Sequence, residues 1–216
     1  FYRSIGINLK QLYGSTETCA YVCLQPDGQI KFDSVGQAAP GVEIKLAENG
    51  EVLVKSTSML QGYYKRPDAT AEVIDAQGFF HTGDAGILDH ESHLKIIDRA
   101  ADVGRMSNGQ IFAPNYLENK LKFFPYIKEA VAFGDQRQHV CAFINIDVEA
   151  VGNWAERRGI AYAGYTDLAA KAETYQLILS CIEQINADLA NDLGNLAQLR
   201  HGHAANRGLL AHRGRA

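Results

Sequence analysis

Three short segments carry side chains with chemistry to offer. The first is Tyr13-Gly14-Ser15-Thr16-Glu17. A glycine lets the backbone approach a ligand closely. A hydroxyl beside it can bond a phosphate oxygen, and a carboxylate can hold a hard cation. The aromatic ring ahead of the glycine can stack on a base. A strand running into a turn offers the same string of residues. The second segment is Gly78-Phe79-Phe80-His81-Thr82-Gly83-Asp84. It reads as a tight loop presenting a carboxylate, and a carboxylate accepts two hydroxyls at once, as from a ribose diol. A plain Asx turn is the alternative. The third is Ile96-Ile97-Asp98-Arg99-Ala100-Ala101-Asp102. The planar fork of Arg99 can reach a ribose or a phosphate. It can equally form a surface ion pair with Asp98 or Asp102.

The elements that must position these residues are mostly β in the first half. Residues 42–46 and 51–55 alternate and are rich in β-branched side chains, with Asn49-Gly50 between them, which predicts a hairpin. Residues 29–33 read as a further short strand. Residues 87–89 and 94–98 predict a second hairpin, with His90, Glu91, Ser92 and His93 in its turn. Pro67 and Asp68 suit a helix start, continued by residues 69–74. A small barrel or a curled sheet accommodates these elements.

The second half changes character. Pro114 opens a helix through Leu117, Leu121 and Phe124. Residues 127–134 and 140–147 are two apolar strands. Asp147 can cap a helix with the stripe Val148, Val151 and Trp154. From Thr166 one long amphipathic helix carries Leu168, Ala172, Tyr175, Ile178, Ile182, Ile185 and Leu189. This half reads as a separate small α+β domain beginning between Asp98 and Asp102. After Asp192 no acidic residue follows, and Arg200, His201, His203, Arg207, His212, Arg213 and Arg215 stand among Gly and Ala. That tail is either a basic interaction arm or an unfolded end.

Composition excludes little and sharpens some of this. The 216 residues are 46% hydrophobic and 21% charged, with a net charge of -4. A nucleic-acid footprint needs a clear basic excess. No stretch has the apolar length that crosses a bilayer as a helix. Cys19, Cys23, Cys141 and Cys181 complete no zinc set, and buried thiols in a reducing cytoplasm account for them.

Taken in order, the motifs YGSTE, GYYKRPDAT, GFFHTGD and IIDRAADV followed by SNGQIFAPNYLENKL resemble the core motifs of the adenylate-forming (AMP-binding) superfamily. The stretch FAPNYLENKLKFFPYIKEAVAFGD is similar, more narrowly, to the bacterial long-chain fatty acyl-CoA synthetases. The resemblance spans roughly residues 1–193 and implies an α+β fold. Residues 1–98 would be the β-rich C-terminal part of a large N-terminal AMP-binding domain. Residues 99–192 would be a small mobile C-terminal α+β domain, and 193–216 a divergent, disordered tail. The chain is thus expected to be a fragment of a cytoplasmic ligase whose substrates are a fatty acid, ATP and CoA, with magnesium and no nucleic acid. Peripheral membrane association of the parent enzyme stays open.

The resemblance also implies roles. Tyr13 would flank the adenine, Gly14 and Ser15 would line the nucleotide, and Thr16 would touch the AMP phosphate. Glu17 would hold magnesium, making Thr16 and Glu17 the catalytic pair. Asp84 would bind the ribose hydroxyls and Arg99 would contact the ribose. Ser107-Asn108-Gly109 would face the pantetheine of CoA. Three departures stand against this: no Ser/Thr/Gly-rich phosphate loop, Ala101 at the hinge position that is usually Lys or Asp, and no lysine after Lys171 for the adenylation step. They imply that these 216 residues alone do not turn over. A non-catalytic nucleotide- or acyl-adenylate-binding remnant, another adenylate-forming ligase, or an interaction module reusing the fold are the alternatives. A frameshift or chimeric end would explain the break at Gly194.

Overall fold

The computed structural model describes residues 1–192 and 197–199. The chain divides into two units, Phe1–Val103 and a second beginning at Gly104. Among the described residues no helix is long and apolar enough to cross a membrane.

In the first unit a short antiparallel sheet is formed by β1 (Leu12–Tyr13), β2 (Cys23–Leu24) and β3 (Gln37–Ala38). A four-stranded antiparallel sheet follows, from β4 (Glu43–Leu46) and β5 (Glu51–Lys55), then, after helix α1 (Pro67–Val73), β6 (Phe80–Leu88) and β7 (Leu94–Arg99). The predicted hairpin at Asn49-Gly50 forms, with Leu46 opposite Val52. The second hairpin forms too, with Leu88 opposite Leu94. Asp89 caps its turn by accepting the backbone N–H groups of Glu91 and His93, each at 2.9 Å. The two sheets meet at one bridge, Gly36 to Leu94, where the Leu94 N–H donates to the Gly36 carbonyl at 2.8 Å. Alternation buries one face of β5, so Val52 and Val54 join Val22, Cys23 and Leu94 in an apolar core.

Residues 29–33 are not a strand. Lys31 and Ser34 turn their carbonyls to the buried Gln25 carboxamide, whose Nε2 donates to them at 2.5 and 2.7 Å. With its carbonyls taken by a side chain, this segment folds into turns, and Phe32 stands exposed.

The second unit opens with the two-stranded ribbon β8 (Gly104–Arg105) and β9 (Ile111–Phe112), then α2 (Pro114–Lys122). The hairpin β10 (Ile127–Phe133) and β11 (Cys141–Ile146) follows, then α3 (Val148–Glu156), α4 (Tyr165–Ala170) and α5 (Ala172–Asp192). Asp147 caps α3 as its sequence position predicts, accepting the Ala150 N–H at 2.8 Å. Two expectations need correction. The single long helix from Thr166 is two helices, because Lys171 takes an extended ψ of 138° between them. Val148 is half-exposed, and the buried face of α3 is Val151, Gly152 and Ala155.

Residues 193–196 and 200–216, where the basic tail and the Gly194 break were placed, lie outside the described residues. Between them, Leu199 is buried and bridges Val140, and both its backbone groups bond the Asn186 side chain.

Candidate functional site

Asp84 owes its place to an irregularity in β6. Leu53 of β5 faces His81, yet Glu51 faces Ala85, so the chain of β6 bulges between those two pairs. A bulge leaves backbone groups without ladder partners and re-aims side chains. Here side chains supply the missing partners. Glu51 Oε1 accepts the Gly83 N–H at 3.0 Å and its Oε2 faces His81 Nδ1 at 3.1 Å. Thr82 Oγ1 donates to the Val52 carbonyl at 2.8 Å and accepts the Asp84 N–H at 3.1 Å. Gly83 itself needs the left-handed region, with φ of +70°. The expected tight loop is therefore a bulge inside a strand, because two strands continue to pair on either side of it.

Across β6 and β7, Asp84 stands opposite Arg99. Arg99 Nη1 donates to Asp84 Oδ1, and the Tyr13 hydroxyl donates to Asp84 Oδ2 at 2.7 Å. Three sequence segments thus converge on one carboxylate. Arg99 pairs with Asp84, not with Asp98 or Asp102; Asp98 Oδ1 accepts the Arg99 backbone N–H at 2.8 Å. Burial pushes the Tyr13 phenol well above its usual range, and the Asp84 carboxylate adds to the effect.

The turn after Tyr13 is built around a close approach of the chain to itself. A Cβ on Gly14 would lie 2.3 Å from the Ala20 carbonyl carbon and 2.7 Å from the Tyr21 nitrogen. The glycine is required by its own loop, whatever ligand it also meets. Ser15 precedes a single 3-10 turn, Thr16–Thr18, and the buried Thr18 hydroxyl accepts the Ser15 N–H at 2.9 Å. Thr16 is exposed on that turn.

Glu17 belongs to a second group. Its Oε1 accepts the Tyr63 hydroxyl at 2.9 Å, and its carbonyl accepts the Leu60 N–H at 2.7 Å. Tyr63 is held in turn by the Thr70 hydroxyl, which accepts its backbone N–H at 2.9 Å. Its own backbone N–H first, with the Tyr63 hydroxyl among the lesser donors, keeps the Glu17 carboxyl below the usual range, so it is charged at neutral pH. Among the described residues no three His, Cys, Asp or Glu side chains converge as a metal site. One ionised carboxylate fits a magnesium ion that takes its remaining ligands from phosphate and water.

Glu51, His81 and Tyr63 are the residues that reading the sequence left without a role. Tyr63 stood in a quoted motif, but nothing in one sequence pairs it with Glu17. Glu51 read only as a strand position, since its partners depend on the register of the bulge.

Residues 1–64 match the family model of the AMP-binding enzymes, and that span holds Tyr13 to Glu17, Glu51 and Tyr63. With the relatives below, the match supports an adenylate-forming, fatty acyl-CoA synthetase-like protein. Over 187 residues it is 33% identical to the long-chain-fatty-acid–CoA ligase FadD15 of Mycobacterium tuberculosis, covering 86% of this chain and 31% of that protein. It is 30% identical over 197 residues to human long-chain-fatty-acid–CoA ligase 1, covering 86% of this chain and 28% of the relative. Among solved structures it is similar to the O-succinylbenzoate CoA synthetase of Bacillus subtilis in complex with AMP. That likeness has a TM-score of 0.53 and 26% identity, over 76% of this chain and 37% of the other. The chain spans about a third of the length of the curated relatives it matches.

Proposed function

We propose that these residues form the ribose side of an adenine-nucleotide site and the small domain of an ATP-dependent long-chain fatty acyl-CoA synthetase. In that reaction a fatty carboxylate attacks the α-phosphate of ATP and pyrophosphate leaves. The thiol of CoA then attacks the acyl carbonyl and AMP leaves. The observation that carries the reading is the meeting of Tyr13, Asp84 and Arg99, from three separate motifs, on one carboxylate.

Each residue then has a role. Tyr13 flanks the adenine, and Gly14 and Ser15 line the nucleotide. The exposed Thr16 hydroxyl bonds the phosphate, and Glu17 holds magnesium, which would neutralise phosphate charge when bound. Asp84 accepts the ribose hydroxyls and Arg99 contacts the ribose. Residues 1–98 are the end of an AMP-binding domain, and 99–192 a small domain that moves about the segment around Ala101. Residues 107–109, in the turn closed by the Gly109 N–H on the Met106 carbonyl at 2.9 Å, present backbone to CoA. The setting is cytoplasmic.

Calorimetric titration of the chain with AMP tests the reading. Asp84→Ala should weaken binding by roughly ten- to a hundredfold, the effect of losing charge-assisted hydrogen bonds to a diol. Glu17→Gln should raise the magnesium needed for ATP binding. Unchanged AMP affinity in Asp84→Ala would remove the basis for the assignment.

A further inference from the structure

Glu51 opens β5 with its side chain only 15% exposed. Its two oxygens serve different partners, Gly83 N–H at 3.0 Å and His81 Nδ1 at 3.1 Å. A carboxylate only accepts, so Nδ1 carries the proton and the imidazole donates. Both partners stand on the bulged stretch of β6, one on each side of Thr82. Gly83 has no side chain to fix it and sits in a region of φ that it can leave easily. Three contacts hold it: Glu51 on its N–H, the Ala100 N–H on its carbonyl at 2.8 Å, and the guanidinium of Arg99. A Cβ placed on Gly83 would lie 2.9 Å from Arg99 Nη2, so the guanidinium lies against this residue. Asp84 is the next residue in the chain. A shift of Gly83 therefore moves both members of the Asp84–Arg99 pair.

We propose that Glu51 is a positioning residue for the nucleotide site: by clamping Gly83 and His81 it sets where the Asp84 carboxylate and the Arg99 guanidinium point. The inference rests on the reading of Asp84 as the ribose-binding group. Glu51 does not touch the nucleotide. It acts through the bulge, which supports the groups that do. A glutamine there keeps one acceptor oxygen for Gly83, and the imidazole can switch tautomer to meet the amide. Alanine removes both bonds.

The experiment compares Glu51→Ala, Glu51→Gln and Glu51→Asp in the full chain by two readouts. The first uses no ligand. The 13Cζ resonance of Tyr13 reports its hydrogen bond to Asp84. It should move in Glu51→Ala and Glu51→Asp and stay in place in Glu51→Gln. The second is calorimetric titration with AMP. The Kd should rise about tenfold in Glu51→Ala, the effect of misplacing one charge-assisted contact. It should stay within about twofold of wild type in Glu51→Gln, a pattern that a general loss of stability does not give. If Glu51→Ala does not fold, Glu51→Asp decides, since it keeps the charge and shortens the reach. A wild-type Tyr13 resonance together with wild-type AMP affinity in the Ala and Asp variants would overturn the proposal. A moved Tyr13 resonance in a chain that takes up no AMP would uphold the clamp and sink the nucleotide reading alone.

Discussion

Residues 1–103 hold the loops of the candidate site with side chains, whereas the unit from Gly104 packs its elements mainly through helix faces and the β10–β11 hairpin, with side chains such as Asp147 and Asn186 closing single points. In the first unit Gln25, Glu51, Thr82 and Asp89 each satisfy backbone groups that no ladder reaches. In the second, Leu117 and Leu121 are the buried residues of α2, and Ile146, Val151, Ala155 and Leu168 join in one apolar cluster. Buried polar groups cost stability unless they are bonded, so the first unit depends on single contacts with defined geometry. The second depends on area removed from water, which is spread over many residues. The candidate site lies in the unit built on single contacts. A carboxylate with two partners and a glycine in a left-handed bulge give precise placement at the expense of tolerance.

The largest effect should come from the apolar side. Leu168 is fully buried in the cluster that Trp154 packs against. Leu168→Ala should cost about 2–5 kcal/mol, the range for a buried leucine that leaves a cavity. Trp154 is the one tryptophan, so its fluorescence in urea reports this unit. Amide exchange at Val52 and Val54 should stay as in wild type. A parallel loss there would show that the two regions unfold as one and would break the comparison.

Gly36 tests the other side. Its φ is +97°, and a Cβ would lie 2.1 Å from the Leu24 carbonyl carbon. Gly36→Ala should cost about 2–4 kcal/mol, combining overpacking with left-handed strain. Exchange at Val52 and Val54 should quicken while the Trp154 transition keeps its midpoint. A Gly36→Ala chain with unchanged exchange would mean that the bridge to Leu94 contributes nothing to holding the sheets together.

Acid should separate the units as well. Burial works against the Asp89 carboxylate, but Lys31 and the His93 and Glu91 N–H groups outweigh it and bring its pKa down to about 2. An unfolded Asp titrates near 3.9. A group depressed in the folded state contributes its stability above the unfolded value and loses it as pH falls through the folded one. Asp89 should therefore contribute roughly 2 kcal/mol at neutral pH, lost between about pH 5 and pH 2. Asp89→Asn should flatten that part of the acid profile for the first unit and leave the Trp154 profile alone. An acid profile in Asp89→Asn identical to wild type would place the stabilising charge elsewhere.

The same contrast decides what the sequence made legible. Asn49-Gly50, Pro67, Pro114 and Asp147 are local signals, and the elements they mark formed where expected. The α+β pattern of the second unit was legible because its periodicity is that of amphipathic elements. In the first unit the misreadings fall where a side chain from another segment replaces a ladder; in the second they are the extended Lys171 that divides the long helix and the outward Val148. Residues 29–33 have strand-like composition, yet Gln25 takes the Lys31 carbonyl within the segment and the Ser34 carbonyl just after it. Thr82 to Asp84 look like a turn, yet Glu51 lets the strand continue past them. Tyr13, Asp84 and Arg99 could be named from their motifs. That they share one carboxylate follows from the register of β6 against β7, which no short segment encodes.

The smallest effect should come from a feature that was fully legible. Asp147 stands just before α3, and its Oδ1 accepts the Ala150 N–H at 2.8 Å. That N–H is one of the donors that the first turn of a helix leaves without an internal partner. Asp147→Ala should lower stability by about 1 kcal/mol, the usual value of an N-cap. Asp147→Asn keeps the acceptor and should recover most of it, since caps of Asn and Asp rank alike. The difference between the two variants isolates the capping hydrogen bond, and the remaining difference between wild type and Asp147→Asn isolates the charge at the positive end of the helix dipole, worth a few tenths of a kcal/mol to about 1 kcal/mol, which added salt should shrink. The readout is the Trp154 transition, because Trp154 lies on α3. A loss several times larger would mean that α3 depends on one bond as the β6 bulge does. The second unit would then share the construction of the first, and the comparison between them would fall.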